Sequence, residues 1–349
     1  MRPPILIYGS YGYTGALIAR EAVRRGMPVV LAGRDQRRLA DQADALGCDY
    51  RVFGLDDVRL IRENVLDVVA VLNCAGPFLA TAEPMVKACL QAHAHYLDIT
   101  GEIAVFEELA GKDSVARKMG VMIMPGVGFD VLPSDCLAAH LHGKLPQATR
   151  LELAIQVIGG VSHGTAVTAL EGFALGGAVR REGRITRVPL AHRARTVDFG
   201  RGPRRVISVP WGDVATAYHT TGIPNIEVYL RLAPSAMAFS RAGRFLGWLL
   251  KKPRITRFLR SRIDAGPPGP DEAMRARGKA LFWGEVSDDH GQSIEARLET
   301  PESYTLTVQS SLCVADKVLN GCAKTGFQTP AGAYGPELAL ELAGVSGFL

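Results

Sequence analysis

Three glycines spaced three apart, Gly9, Gly12 and Gly15, stand in "GSYGYTG" between the apolar run Ile5-Leu6-Ile7 and a helical pattern. Between a strand and a helix, such glycines have separate jobs. The first permits a tight turn, the second lets backbone approach a pyrophosphate, and the third lets the helix pack closely on the strand. The helix then aims its first N–H groups at the anion. The spacing is G-x-x-G-x-x-G rather than the more common G-x-G-x-x-G, and a glycine-rich turn without ligand is the competing reading. The second apolar run ends at Gly33-Arg34, where NAD-type sites place an acidic residue against the adenosine ribose. A guanidinium there would instead pair with a 2′-phosphate through charge-assisted bonds, reinforced by Arg37 and Arg38, which favours NADP(H). The alternative leaves Arg34 in solvent and Asp35 as a helix cap.

Other loops carry chemistry-bearing residues. "NCAGPF" at 73–78 is built of small side chains, over which the nicotinamide half of a dinucleotide could lie. "HYLDITGE" places Asp98 near a strand end and Glu102 at a helix start, where acidic residues favour the first turn. In "PGVGFD", Asp130 opens a helical segment. "WGDVATAYHTTGIPN" at 211–225 gathers Asp213, Tyr218, His219 and Thr221, groups suited to acid–base or orienting roles. Within that set, Tyr218 or His219 is the expected proton donor and Asp130 or Asp213 its orienter. Alternation along a half-buried strand, expected over 215–220, accounts for some of these residues without chemistry. The six cysteines form no C-x-x-C pair and no cluster with metal-ligand spacing, so no metal is expected.

These loops need a scaffold that brings them together. Short Val/Ile/Leu-rich runs recur at 4–9, 28–33, 50–54, 68–75, 96–100 and 120–126, with helical patterns at 14–25, 37–46, 57–65, 82–92 and 102–118 between them. Continuous apolar runs fit parallel strands buried on both faces. The alternation predicts an α/β fold, a Rossmann-type doubly wound parallel sheet, whose ligands bind at the carboxyl ends of the strands. From about residue 132 the alternation stops. A helix to 141 and strand-like runs at 151–158, 185–190, 205–210, 226–232, 280–287 and 293–300 predict a second, α+β domain with a mixed sheet. A helix is expected over 302–319 and a last one over 336–343. The expected division is 1–131, 132–325, and a C-terminal segment 326–349 that returns to the first domain.

Bulk composition narrows the class. At 349 residues about two domains are expected. The 47% hydrophobic and 21% charged content is that of a globular protein, and a net charge of +5 does not argue for nucleic acid. Met1 runs within four residues into the first strand and no long apolar run follows, so a cytoplasmic protein is expected. The segment 235–263 stands apart: it carries eight basic residues from Arg241 to Arg262 and no acidic one, with Phe245, Trp248, Leu249, Phe258 and Leu259 interleaved. It suits a membrane surface, an acidic acyl-carrier protein, a lid over an anionic or acyl substrate, or a plain pair of surface helices. "DAGPPGPDE" then reads as a stiff linker.

Taken in order, GSYGYTG, AGR (32–34), NCAGPF, YLDITGE (96–102), PGVGFDVLPSD (125–135), WGD, TGIPN (221–225) and QTPA (328–331) give a sequence that resembles the saccharopine-dehydrogenase-like oxidoreductases, in particular their trans-acting enoyl reductase branch. The resemblance implies a nicotinamide cofactor, a substrate site on the mixed-sheet domain and a homodimer formed through it. It also implies dinucleotide contacts from Gly9, Ser10, Gly12, Tyr13, Thr14, Gly15, Arg34 and the Ala75–Gly76 backbone. The implied reaction is NADPH-dependent reduction of a polarised C=C bond in a hydrophobic, acyl, polyketide or isoprenoid-like small molecule. Two alternatives stand beside it: C=N or C–N chemistry on an amino-acid adduct, and a non-catalytic NADP(H)-binding protein associated with a membrane or partner.

Overall fold

The computed structural model describes residues 3–160, 162, 164, 176–232, 261, 266 and 269–349. The basic segment 235–263 therefore lies outside the described residues, apart from Ser261. The chain divides into two compact units, Met1–Leu132 with Tyr304–Tyr334, and Pro133–Ser303 with Gly335–Leu349.

In the first unit, strands β1 (Ile5–Tyr8), β2 (Val29–Gly33), β3 (Tyr50–Val52), β4 (Ala70–Asn73), β5 (His95–Asp98) and β6 (Met122–Met124) alternate with helices α1 (Tyr13–Arg24), α2 (Gln36–Leu46), α3 (Val58–Asn64), α4 (Phe78–Ala92), α5 (Ile103–Ala110) and α6 (Asp113–Met119). The sheet order is 3-2-1-4-5-6, extended beyond β6 by a seventh strand, β15 (Gly326–Phe327), and every pairing is parallel. Ile5, Leu6 and Ile7 are buried on both sheet faces, each worth roughly 1.5–3 kcal/mol of apolar burial. Chain order reverses between β1 and β4, so ligand-binding loops are expected at their carboxyl ends. Tyr8 is level with both Ala32 and Asn73, so the loops leaving β1, β2 and β4 start side by side.

Local chemistry sets the helix limits. Asp35 accepts a bond from the Arg38 N–H at 3.1 Å and starts α2. The expected single helix over 102–118 is two helices, interrupted at Gly111 and Lys112. The helix expected from 82 begins at Phe78, with Pro84 inside it. The side chain that starts it early comes from another loop and is described below.

The second unit is built on a nine-stranded mixed sheet: β7 (Arg150–Ile158), β8 (Gly177–Arg181), β9 (Arg184–Val188), β10 (Ala194–Asp198), β11 (Pro203–Ser208), β12 (Asn225–Leu230), β13 (Lys279–Ser287), β14 (Ser293–Pro301) and β16 (Ser346–Gly347). Among the described residues of this sheet, only β7 and β12 pair in parallel. Helix α7 (Leu132–Lys144) lays Leu137 and Leu141 over Gly284, where a Cβ would stand 2.6 Å from Leu141. On the opposite face, Val197, Phe199 and Val206 of the β10–β11 hairpin cluster with Ala154, Tyr229, Leu281 and Trp283.

Several expectations are corrected here. Residues 215–220 are not a strand but part of helix α8 (Asp213–Thr221), closed by Gly222 in the left-handed conformation. Its threonines satisfy helix carbonyls: Thr221 Oγ1 donates to Ala217 O at 2.6 Å, a bond that strand-forming residue type does not reveal. Strands β8 and β10 were not expected. Helix α10 (Ser303–Leu319), expected in the second domain, belongs to the first unit, where β15 also lies as expected, while 335–349 belongs to the second through the β14–β16 pairing. Only part of the C-terminal segment thus returns to the first unit. The expected last helix is a 3-10 turn, Pro336–Glu341. The remaining helices among the described residues are the short α9 (Glu272–Arg277) and α11 (Pro330–Tyr334).

Candidate dinucleotide site

The glycine loop leaves β1 with Gly9 N–H donating to Ala32 O at 2.8 Å, then turns back so that Gly12 N–H donates to Gly9 O at 3.0 Å. Gly9 has φ +75°, and a Cβ there would lie 2.9 Å from that of Ala75. A Cβ on Gly15 would run into the carbonyl oxygen of Gly9 and stand 3.0 Å from Ser10 Cα. Both positions therefore require glycine. Helix α1 starts without a side-chain cap and without an acidic residue in its first turn, which suits an anion at its positive end.

Ser10 is buried and its hydroxyl donates to Gln42 Oε1, while Gln42 Nε2 donates to Ser10 O, both at 2.8 Å. The Ser10 side chain thus holds the loop to α2, a partner the sequence does not announce. Tyr13 lies edge-on to Tyr304 at 5.0 Å between centroids, and Thr14 follows in the first turn of α1.

The β4 loop is pinned on several sides. Asn73 Oδ1 accepts from Ala75 N–H at 3.0 Å, its Nδ2 donates to Thr81 Oγ1 and Tyr96 Oη, and Thr81 Oγ1 donates to Ala75 O at 2.7 Å. Ala75 is thereby fixed against Gly9, and the exposed Gly76-Pro77 follows. The carboxylate of Glu102 accepts from the N–H groups of Phe78 (2.9 Å) and Leu79 (3.0 Å). Its role is thus to cap α4 from another loop, as an anion at a helix N-terminus should.

Asp98 is fully buried and accepts from Tyr96 Oη at 2.8 Å and from the N–H groups of Thr100 and Gly126 at 3.0 Å. Desolvation outweighs those three donors and pushes its carboxyl up to about 6. It joins the β5 loop to the β6 loop rather than facing a ligand. The β6 loop is held in turn by α10, where Phe129 N–H donates to Thr307 Oγ1 at 3.1 Å and Ser310 Oγ donates to Val127 O at 2.7 Å. Asp130 sits against Gly101, and burial pushes its carboxyl up to about 6.

Arg34 projects from the end of β2 with an exposed side chain, and among the described residues no carboxylate pairs with it. Glycines that a Cβ would fill, a helix start without a side-chain cap and an unneutralised guanidinium together fit a phosphorylated dinucleotide.

The other expected catalytic residues lie on α8. Asp213 is buried and accepts from Ser134 Oγ of α7 at 2.9 Å. The Tyr218 ring lies under the Arg180 guanidinium at 4.2 Å, and Arg180 donates to Val214 O and Gly183 O. His219 is exposed, with its ring 5.8 Å from that of Tyr218. Tyr218 and His219 are brought together, whereas Asp213 stands five and six residues earlier, outside the three-to-four spacing that makes helix neighbours. Asp130 belongs to the first unit. Among the described residues no cluster of His, Cys, Asp and Glu could hold a metal ion, and no helix is long and apolar enough to cross a membrane.

A parallel 3-2-1-4-5-6 sheet with a glycine loop at the reversal of its order defines a dinucleotide-binding protein. Comparison makes the class specific. Residues 5–124 match the family model described as the saccharopine dehydrogenase NADP binding domain. A saccharopine dehydrogenase-like oxidoreductase from Rattus norvegicus is 26% identical over 203 residues, covering 51% of this chain and 47% of the relative. A trans-acting enoyl reductase from Mycobacterium ulcerans is 30% identical over 160 residues, covering 43% of this chain and 38% of the relative. The chain spans about half the length of the curated relatives it matches, or less. Apo saccharopine dehydrogenase from Saccharomyces cerevisiae superposes with a TM-score of 0.68 at 11% identity, covering 97% of this chain and 96% of that one, which shows a shared fold. Residues 5–124 are thus a saccharopine dehydrogenase-type NADP-binding domain, the chain is similar to saccharopine dehydrogenase-like oxidoreductases over about half its length, and a nicotinamide dinucleotide is its cofactor.

Proposed function

We propose that the protein is an NADPH-dependent reductase acting on a polarised C=C bond of an acyl, polyketide or isoprenoid-like substrate. The observation that carries the NADP(H) reading is Arg34, an exposed guanidinium without a carboxylate partner among the described residues, standing where NAD-type sites place an acid. The 160-residue likeness to a trans-acting enoyl reductase supports the C=C reading. The bound cofactor supplies a hydride. The chain's part is to hold the dinucleotide on the Gly9–Gly15 turn, keep the Ala75–Gly76 backbone in place through Asn73, Thr81 and Glu102, and deliver a proton, a role assigned to Tyr218 or His219.

The test is NADPH turnover by the intact protein against enoyl thioesters, polyprenyl enones and imines. Reduction of an enoyl or enone substrate is expected. Turnover of imines alone would replace this reading with C–N chemistry, and no turnover beside tight NADPH binding would favour a non-catalytic role. From the composition of 235–263 we further propose contact with a membrane surface or acyl-carrier protein. Flotation with anionic vesicles should fall when that segment is deleted. The proposed homodimer is checked by light scattering.

A further inference from the structure

We infer that Tyr11 is the positioning residue for 2′-phosphate recognition, orienting Arg34 and Arg38 into a two-arginine clamp; the inference rests on the NADP(H) reading above. Tyr11 stands between the first two glycines of the loop, and its side chain crosses from that loop to the end of β2. Its hydroxyl accepts the Arg34 N–H at 3.2 Å. Its carbonyl oxygen accepts from an Arg38 guanidinium nitrogen at 2.8 Å. The same guanidinium lies over the Tyr11 ring, 4.5 Å from its centroid. One residue thus engages both arginines, one through backbone and the other through side chain.

The seat of the ring explains Gly33. A Cβ at that position would lie 2.5 Å from Tyr11 Cε1 and 3.2 Å from its hydroxyl, so only glycine lets the phenol reach Arg34. The Asp35 carboxylate is engaged by the Arg38 N–H as the α2 cap, and neither arginine side chain has a carboxylate partner among the described residues. Arg38 keeps donors beyond the one spent on Tyr11 O, since a guanidinium carries five. With the Arg38 guanidinium seated on the Tyr11 ring and the Arg34 backbone anchored to its hydroxyl, two arginines at the end of β2 match the doubly charged 2′-phosphate, which a single flexible arginine would hold at a larger entropic cost. Adenosine without that phosphate gains nothing from the arrangement.

The experiment is calorimetric titration of the intact protein with 2′,5′-ADP and 5′-ADP, comparing the parent with Tyr11→Ala, Tyr11→Phe and Arg34→Ala. Tyr11→Ala should weaken 2′,5′-ADP about tenfold, through loss of the ring under Arg38 and of the hydroxyl bond to the Arg34 backbone, and leave 5′-ADP within about twofold. Tyr11→Phe keeps the ring under Arg38 and loses the Arg34 contact, so its ratio of the two affinities should fall between parent and Tyr11→Ala; it also serves if the alanine variant fails to fold. Equal weakening of both ligands, or an unchanged ratio in both tyrosine variants, overturns the inference. Arg34→Ala separates the two levels. A lowered ratio there with unchanged tyrosine variants removes Tyr11 from the clamp alone, whereas an unchanged ratio in Arg34→Ala removes the 2′-phosphate reading itself.

Discussion

Replacing Asp98 with asparagine should remove a pH-dependent contribution to the stability of the first unit. Asp98 is buried and its carboxyl is pushed up from 3.8 to about 6, chiefly by desolvation. At 1.36 kcal/mol per pH unit, that displacement corresponds to roughly 3 kcal/mol. The folded state holds the proton more tightly than the unfolded chain. Below about pH 4 both states are protonated and nothing is lost; from about 4 to 6 the unfolded chain ionises first, and folding loses up to roughly 3 kcal/mol, which stays lost at higher pH. The asparagine amide does not titrate. It keeps an oxygen for the Thr100 and Gly126 N–H groups, but its NH₂ leaves the Tyr96 hydroxyl proton without its present acceptor, an offset of about 1–3 kcal/mol that is independent of pH. The difference in stability, parent minus Asp98→Asn, should therefore fall by roughly 2 kcal/mol between pH 4 and 6.5. Native-state hydrogen exchange at β4 and β5 amides, corrected for intrinsic rates, reads the first unit separately from the second, and the difference cancels groups common to both proteins. Parallel curves would mean that burial does not perturb Asp98. A difference that grows with pH would mean that its three donors outweigh desolvation.

Glu102→Ala should cost about 1 kcal/mol by uncapping α4 and weaken NADPH more than 2′,5′-ADP if the freed loop holds the nicotinamide half as proposed; equal losses in titrations would refute that division. Gly15→Ala places a Cβ against the Gly9 carbonyl; a loss of about 1–3 kcal/mol and of measurable 2′,5′-ADP binding is expected, and retained binding would show that the turn relaxes. Tyr218→Phe and His219→Ala should each lower turnover on an identified substrate about a hundredfold if that residue is the proton donor, with NADPH affinity unchanged. Full turnover in both would send the search for the donor elsewhere.

The strands and helices of the first unit were legible because each is decided by near neighbours. Aliphatic runs such as Ile5–Ile7 have one stable use in a parallel sheet, Asp35 caps its own helix, and the Gly9–Gly15 spacing is a backbone requirement carried by three residues. The order of motifs pointed to the family for the same reason. Partnerships across the sheet were not legible. Glu102 reads locally as a first-turn acid and serves a helix over twenty residues earlier. Asp98 reads equally as a ligand contact or as a structural bond to a loop, and it ties together two loops. Helix α10 was visible as a helix, but only its bonds to Phe129 and Val127 assign it to the first unit. The misread of 215–220 has a similar cause: threonine and tyrosine favour strands in isolation, and the helix closes through hydroxyl-to-carbonyl bonds and the left-handed Gly222. Sequence alone determined which backbone could cradle a dinucleotide. Tertiary structure decided which side chains are already committed to one another, because a hydrogen bond over long separations depends on register and packing that no local pattern records.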